Sequence, residues 1–544
     1  MRIWIGALLI PVGIGAFLMA RDDPSEGSSA QGIRISEETT AVTEPLKENG
    51  LPDYLQVINN HRGEGVTAET NAFIPLWQVL GRFSRVENEA FDLELAKTLG
   101  VEAPERGTET FIPSSFLINE AIDARIEGSA KNHDELREEM DEQFASALKE
   151  PWKSETHPVP LLWIGANEKA LESVHAAVNR PHYYRPLILV DDGEPESMLL
   201  ISSLLPDVQQ MRDLARLQVT RAYWHAGEGR LDQAVEDLLD THRLARHLAR
   251  SGSTLIELLV GIALDNMANQ AEAKLLELPG YHAQAIGKLH KTLDELGPVS
   301  SLSHLAEILD RGERYMGLDA VIALSSGQIS IDYVSGMSGS DSGQNGSGSA
   351  LQTVLQSAID WNQALMVLNE YYDLLVEATQ QADPAQRELK FKEIEERIEN
   401  SRSAVTGLSG ILLQTLGGRA ARGRTMGQIL AALLLPANQA VVSATENSIR
   451  NHQLILTGCA LKEYQARTGG YPIELKDLGE QFADQPEFAY VSQQNGQEFL
   501  LYHFGRNGVD DGGQTHDDNP GGQTDDMRIR TAGYQMKSEA GQAE

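Results

Sequence analysis

The sequence predicts a mainly α protein: a multi-helix body of packed helical hairpins with a small C-terminal α+β module. Three observations carry that expectation. Hydrophobic residues make up 41% of the chain and aromatic residues only 6%. The core must therefore be aliphatic, which suits packed helices better than a sandwich built on aromatic and β-branched residues. Trp361, Leu365, Leu368, Tyr372 and Leu375 recur at spacings of four and three, the period that gathers side chains on one helix face. Sustained strand-like alternation is scarce before about Phe488.

At the N-terminus, Arg2 precedes an uncharged apolar run over residues 3–20, and Arg21, Asp22 and Asp23 end it. A run of this length lies between a signal-peptide core and a spanning helix, which needs roughly 17–25 residues. It reads as an uncleaved anchor in the inner membrane or as a cleaved export signal. Leu18 is large for a cleavage motif, which favours the anchor. Either way the body is expected on the extracytoplasmic, periplasmic side. Residues 21–50, rich in Ser, Glu, Thr and Gly, read as a flexible spacer.

A first helical region is expected over residues 51–330. Within it, the stretch from Arg221 through Trp224, Gly229 and Arg230 to Ala234 looks like half a tetratricopeptide hairpin. Its small alanines admit close helix approach and its glycines turn the chain, while Leu231, Val235 and Leu238 share a face. Residues 331–350 read as a Ser/Gly-rich loop, 351–436 as a second helical region, and 437–535 as a long helix plus the α+β module. Pro436 suits the first position of that helix, and residues 536–544 read as a disordered tail.

A formal net charge of −34 argues against binding nucleic acid, because neutralising phosphates needs a basic face. The same charge favours cationic partners, including divalent metals. A single cysteine, Cys459, excludes an intrachain disulfide and reads as a buried small hydrophobe.

Catalytic patterns are weak. Gly418 to Thr425 falls one residue short of a phosphate-binding loop, with Arg424 where the lysine belongs and a helical run before it. There is no His-Glu-x-x-His, no Cys-x-x-Cys and no Gly-x-Ser-x-Gly. His242 and His247 are five apart, a poor spacing for one metal, and read as helix-surface or interhelical residues. Glu307–Arg311 and Asp310–Arg314 have the spacing of helical ion pairs. Glu393, Glu395, Glu396 and Glu399 read as a charged helix face in the same way. The run from Gly252 to Val260 resembles the type IV prepilin signature, but Asp265 and Asn266 stop it too soon to span a bilayer. A buried core helix is expected there.

The C-terminal region carries the most specific pattern. A long helix leads to Tyr464, Gly469, Gly470, Tyr471 and Pro472, followed by Leu475 and Leu478. A short strand at about 498–503 precedes Gly505-Arg-Asn-Gly-Val-Asp-Asp-Gly-Gly513, and then Asp517, Asp518, Asp525 and Asp526. This ending resembles the soluble part of the type II secretion major pseudopilin over roughly the last hundred residues. The resemblance implies a small sheet and a calcium-binding loop, with Asp510, Asp511, Asp517, Asp518, Asp525 and Asp526 as candidate ligands. The chain as a whole resembles a family of exported planctomycete proteins, which implies location and architecture but no activity.

On physical grounds alone, calcium takes six to eight oxygen ligands, and glycines let a loop wrap around it. An acidic, solvated tail would have the same composition. The leading functional expectation is a non-enzymatic, membrane-tethered scaffold or binding protein with an envelope protein as partner. One alternative is an accessory component of a type II secretion or pilus-like envelope machine. The other is a hydrolase using carboxylates such as Glu307 and Asp310 with His242.

Overall fold

The computed structural model describes residues 32–534, apart from 84–88, 127–130, 204, 279–282, 332, 335–358, 406–417, 436–437, 483–486, 506, 517 and 520–523. The expected anchor over residues 1–20, most of the Ser/Gly-rich loop, Pro436, Asp517 and the tail lie outside the described residues. Among the described residues, no single helix is long and apolar enough to cross a membrane.

Helix dominates, as the composition and periodicity predict. The chain opens with α1 (Glu37–Thr40), α2 (Tyr54–Gly63), α3 (Phe73–Leu80), α4 (Ala90–Leu99) and α5 (Ser114–Ile126). It continues through α6 (His133–Ala147), α7 (Pro158–Ala166), α8 (Glu168–Val178), α9 (Asp207–Gly227), α10 (Leu231–Ser251) and α11 (Leu255–Glu277). Next come α12 (Ala283–Leu296), α13 (Leu302–Ile308), α14 (Arg314–Ser326), α15 (Trp361–Thr379) and α16 (Pro384–Val405). The last helices are α17 (Arg419–Leu434) and α18 (Asn438–Thr468). Strands β1 (Phe488–Gln493), β2 (Glu498–His503) and β3 (Met527–Arg530) close the chain.

Two compact units emerge, each assembled from separated stretches of chain. The first contains Met1–Glu64, Leu187–Leu204 and Ala306–Gln439. Its centre is α15, whose Trp361, Leu365, Leu368, Tyr372 and Leu375 are all buried. Helix α17 packs against α15 because two of its residues have no side chain. A Cβ on Gly423 would collide with the Asp360 carbonyl, and one on Gly427 would lie 2.7 Å from the Ala364 carbonyl. The glycine that gives residues 418–425 their phosphate-loop look is therefore a helix-contact glycine inside α17.

Residues 32–50 differ from the expected spacer. Ile33, Thr39 and Thr40 are buried, and the Asn369 amide donates to the carbonyls of Glu38 and Thr39 at 3.0 Å each. Tyr54 donates to the Thr40 carbonyl at 2.8 Å. The segment is fixed by distant backbone-to-side-chain bonds, which leave no periodicity in its own composition.

The second unit contains Gly65–Pro186, Leu205–Leu305 and Ala440–Glu544. Its spine is the run α9–α10–α11. Gly229, at φ +77°, turns the chain between α9 and α10, and Leu231, Val235 and Leu238 are buried beyond it. Thr254 caps α11 with a reciprocal box, its side chain accepting from the Glu257 amide while Glu257 reaches back to the cap. Gly261 lets α11 settle onto Ala245 and Ala249 of α10. The prepilin-like stretch is thus the first part of a core helix, as expected, but α11 runs on past Asp265 to Glu277.

At the C-terminal end of this unit the three strands form one antiparallel sheet in the order β1-β2-β3. Central strand β2 is buried on both faces. On one face, Phe499 packs against Tyr471, with ring centroids 4.6 Å apart. On the same side of the module, Gly458 of α18 leaves room for Ile529 of β3 and Leu276 of α11. On the other face Leu500, Tyr502 and Tyr534 cluster, and the loop joining β2 to β3 folds back so that Gly513 lies against Leu500 and Tyr502.

Candidate functional site

The returning loop carries the acidic residues. Asp511, Asp525 and Asp526 place carboxylate oxygens within 4.8 Å of one another. Local backbone geometry makes that approach feasible. Gly505 has φ +59°, and a Cβ there would strike the Asp525 carboxylate. Gly513, at φ +80°, donates its amide to Asp526 Oδ2 at 2.9 Å. Asn507 ties the two ends of the loop together. Its amide nitrogen donates to Asp511 Oδ2 at 3.2 Å, and its backbone N–H donates to Asp525 Oδ2 at 3.3 Å.

Asp526 is the deepest of the three, 3% exposed, and its Oδ1 makes no hydrogen bond among the described residues. Burial pushes its carboxyl up to about 7, and the neighbouring Asp511 and Asp510 charges add to the effect. A buried acceptor of this kind, facing two further carboxylates, fits a hard divalent cation, which prefers oxygen ligands.

The other candidate ligands have separate tasks. Asp510 Oδ1 accepts from the Tyr502 hydroxyl and the Gly512 amide, each at 2.9 Å. Asp518 is turned onto Arg528, with Oδ1 accepting from Nη2 at 3.0 Å. Against the cost of burial, Arg528 and Thr515 hold the Asp518 carboxyl down at about 2. Asp517 lies outside the described residues. Asn507 and Gly513 lie in the loop that the sequence singles out, but their roles as donors to Asp511, Asp525 and Asp526 were not read from it.

A cleft of about 590 Å³ lies in the same unit and is lined in part by Asp525, Asp526 and Arg528. A directed hydrogen-bond chain forms part of its wall. Gly505 N–H donates to His503 Nδ1 at 3.2 Å, so His503 Nε2 carries the proton and donates to Asn451 Oδ1 at 2.6 Å. Asn451 Nδ2 donates in turn to Asn266 Oδ1 at 2.8 Å. Burial, and then Arg450, lower the His503 pKa to about 3, which keeps the ring neutral.

A second polar cluster is sealed between α10, α11 and α18. His242 Nδ1 lies 2.5 Å from Asp265 Oδ1, and its Nε2 lies 3.1 Å from Glu272 Oε1. Arg246 Nη1 donates to the same Asp265 oxygen at 2.7 Å, and Asn269 donates to the other at 3.0 Å. His242, Asp265, Asn269 and Glu272 are each 0% exposed. Burial opposes charge on His242, but Glu272 and Asp265 outweigh it and raise the ring to about 9. His452 goes the other way, lowered to about 3 by burial and by Arg246. The interhelical reading of His242 is thus the one observed, and His247 likewise reaches across to the Val178 carbonyl at 3.0 Å. Spacings of four and three between Asp265, Asn269 and Glu272 were the available signal for this cluster.

The carboxylates considered for hydrolysis have other partners. Glu307 lies 3.0 Å from His61 and 4.0 Å from Arg311, and Asp310 pairs with Arg314 at 2.8 Å. These belong to the first unit and His242 to the second. Glu393, Glu395, Glu396 and Glu399 are exposed along α16. Cys459 is fully buried, and burial drives its thiol pKa well above the ordinary value.

No family model, curated protein or solved structure matches this chain.

Proposed function

We propose that this is a non-enzymatic, membrane-tethered binding or scaffold protein of the extracytoplasmic space, whose C-terminal module is clasped by calcium. The observation carrying this reading is the convergence of Asp511, Asp525 and Asp526, with Asp526 buried and one of its oxygens lacking a hydrogen-bond partner. A divalent cation there would screen three carboxylates that otherwise repel. It would also pin the returning loop over Leu500 and Tyr502. Export rests on the apolar run at residues 3–20 followed by Arg21, Asp22 and Asp23. Tethering leaves the module facing an envelope partner.

A calorimetric calcium titration of the full chain tests the reading. Stoichiometric binding is expected, and Asp526→Asn or Asp511→Asn should weaken it by at least about tenfold, since each removes a charged ligand. No heat at millimolar calcium would sink the proposal.

A second reading, an accessory component of a type II secretion or pilus-like machine, is favoured by one arrangement. A long helix, the Tyr471-Pro472 turn, an antiparallel sheet and an acidic loop before the last strand follow in the order of the pseudopilin-like pattern. Its test is secretion in a strain lacking the gene, where unimpaired export would refute it.

A further inference from the structure

The cleft beside the acidic loop has a composition that the calcium reading alone does not explain. Its floor is buried: Asn447, Asn451, His503 and Asp526 are 2–8% exposed. Its rim is open, with Lys149, Gln270, Lys274 and His516 exposed. The volume lies within the 300–1,000 Å³ range of small-molecule sites.

The walls offer three different chemistries. The hydrogen-bond chain from Gly505 through His503 and Asn451 spends the Asn266 oxygen as an acceptor. That leaves the Asn266 amide hydrogens as the donor end of the chain. Asn447, 5% exposed, has an Oδ1 with no hydrogen bond among the described residues, so the floor also holds a buried acceptor. Lys149 and Lys274 make no ion pair within 4.0 Å among the described residues, whereas Arg216 is paired with Asp213 and Arg528 with Asp518. Val219, Met267 and Met527 add apolar surface.

Amide donors and acceptors side by side match hydroxyl groups, which both give and take hydrogen bonds. Two lysines match a carboxylate. The apolar strip matches the C–H face of a ring. We infer that the cleft binds a carboxylated, polyhydroxylated small molecule, the chemistry of a uronic acid, with its hydroxyls completing the oxygen shell of the cation at Asp525 and Asp526. This inference rests on the calcium reading, and it assigns the cation a second task beyond clasping the loop.

Calorimetry on the full chain separates the two. Galacturonate is titrated into calcium-loaded protein and into protein with excess chelator, with glucose and inorganic phosphate as comparison probes. Expected are galacturonate binding that requires calcium, and at least about tenfold weaker binding of glucose, which lacks the charge for the lysines. Asn266→Asp keeps the acceptor for Asn451 but replaces the donor with a charged oxygen. It should weaken galacturonate at least about tenfold while calcium still binds stoichiometrically. Lys149→Ala with Lys274→Ala should do the same.

Calcium binding without galacturonate binding would overturn this inference and leave the calcium reading standing. Galacturonate binding that persists in chelator would overturn the bridging role, and absent calcium binding would overturn both. Equal binding of glucose, or of phosphate, would overturn the assignment to a carboxylated sugar.

Discussion

Replacing Asp265 with Asn keeps the side chain's shape and removes its charge from the centre of the sealed cluster. In the native protein that carboxylate faces His242 at 2.5 Å and Arg246 at 2.7 Å, all within a site no more than 4% exposed. Removing one partner of a buried ion pair costs about 3–5 kcal/mol, and here it would leave Glu272 as the carboxylate facing His242 and Arg246 without its partner at Asp265. The pH dependence gives an independent handle. The folded value of His242, about 9, lies above its ordinary 6.5, so its contribution is fully present below pH 6.5 and is lost as pH rises through 9. The full shift corresponds to about 3 kcal/mol. Asp265 is depressed below its ordinary 3.8, so its own share is lost only as pH falls below that value. Glu272, Arg246, His452 and Arg250 also face this cluster, so the variant must be compared with wild type at each pH. Urea denaturation followed by tryptophan fluorescence is the assay. Trp77, Trp152, Trp163 and Trp224 all belong to the unit concerned. Expected are a loss of about 3–5 kcal/mol near pH 7 and a smaller decline between pH 6.5 and 9 in Asp265→Asn than in wild type. A variant within about 1 kcal/mol of wild type with an unchanged slope would refute the account of a charged, mutually compensated network.

Two further outcomes follow from packing. Gly423→Ala drives a Cβ into the Asp360 backbone and should destabilise the first unit by about 1–3 kcal/mol despite the better helix propensity of alanine. The same change at Gly165, where nothing lies within 4 Å, should stabilise by up to about 1 kcal/mol, and thermal melts of both variants check the contrast. Cys459 should resist a thiol reagent in the native state, because it is buried and its thiol is held protonated. Labelling at native pH without denaturant would contradict that, while full reaction in urea supplies the control.

Local pattern was enough for the helices. The Trp361–Leu375 face, the Gly229 turn and the strand near residue 498 are short-range features, and the period of the side chains states them directly. The sequence also determined that acidic residues crowd the last loop. Which of them converge was decided elsewhere: Arg528 draws Asp518 away, and Gly505 and Gly513 admit Asp525 and Asp526. Those choices depend on strand pairing and on backbone angles open only to glycine. Asp265 shows the limit most plainly. Read along the chain, it ends an apolar run; in the fold it is the buried counter-charge to a histidine and an arginine from the neighbouring helix. The segments that build each compact unit lie far apart in sequence, and no local period encodes which of them meet. Tertiary packing alone supplied those partners, because whether a buried charge is tolerated depends on what stands opposite it.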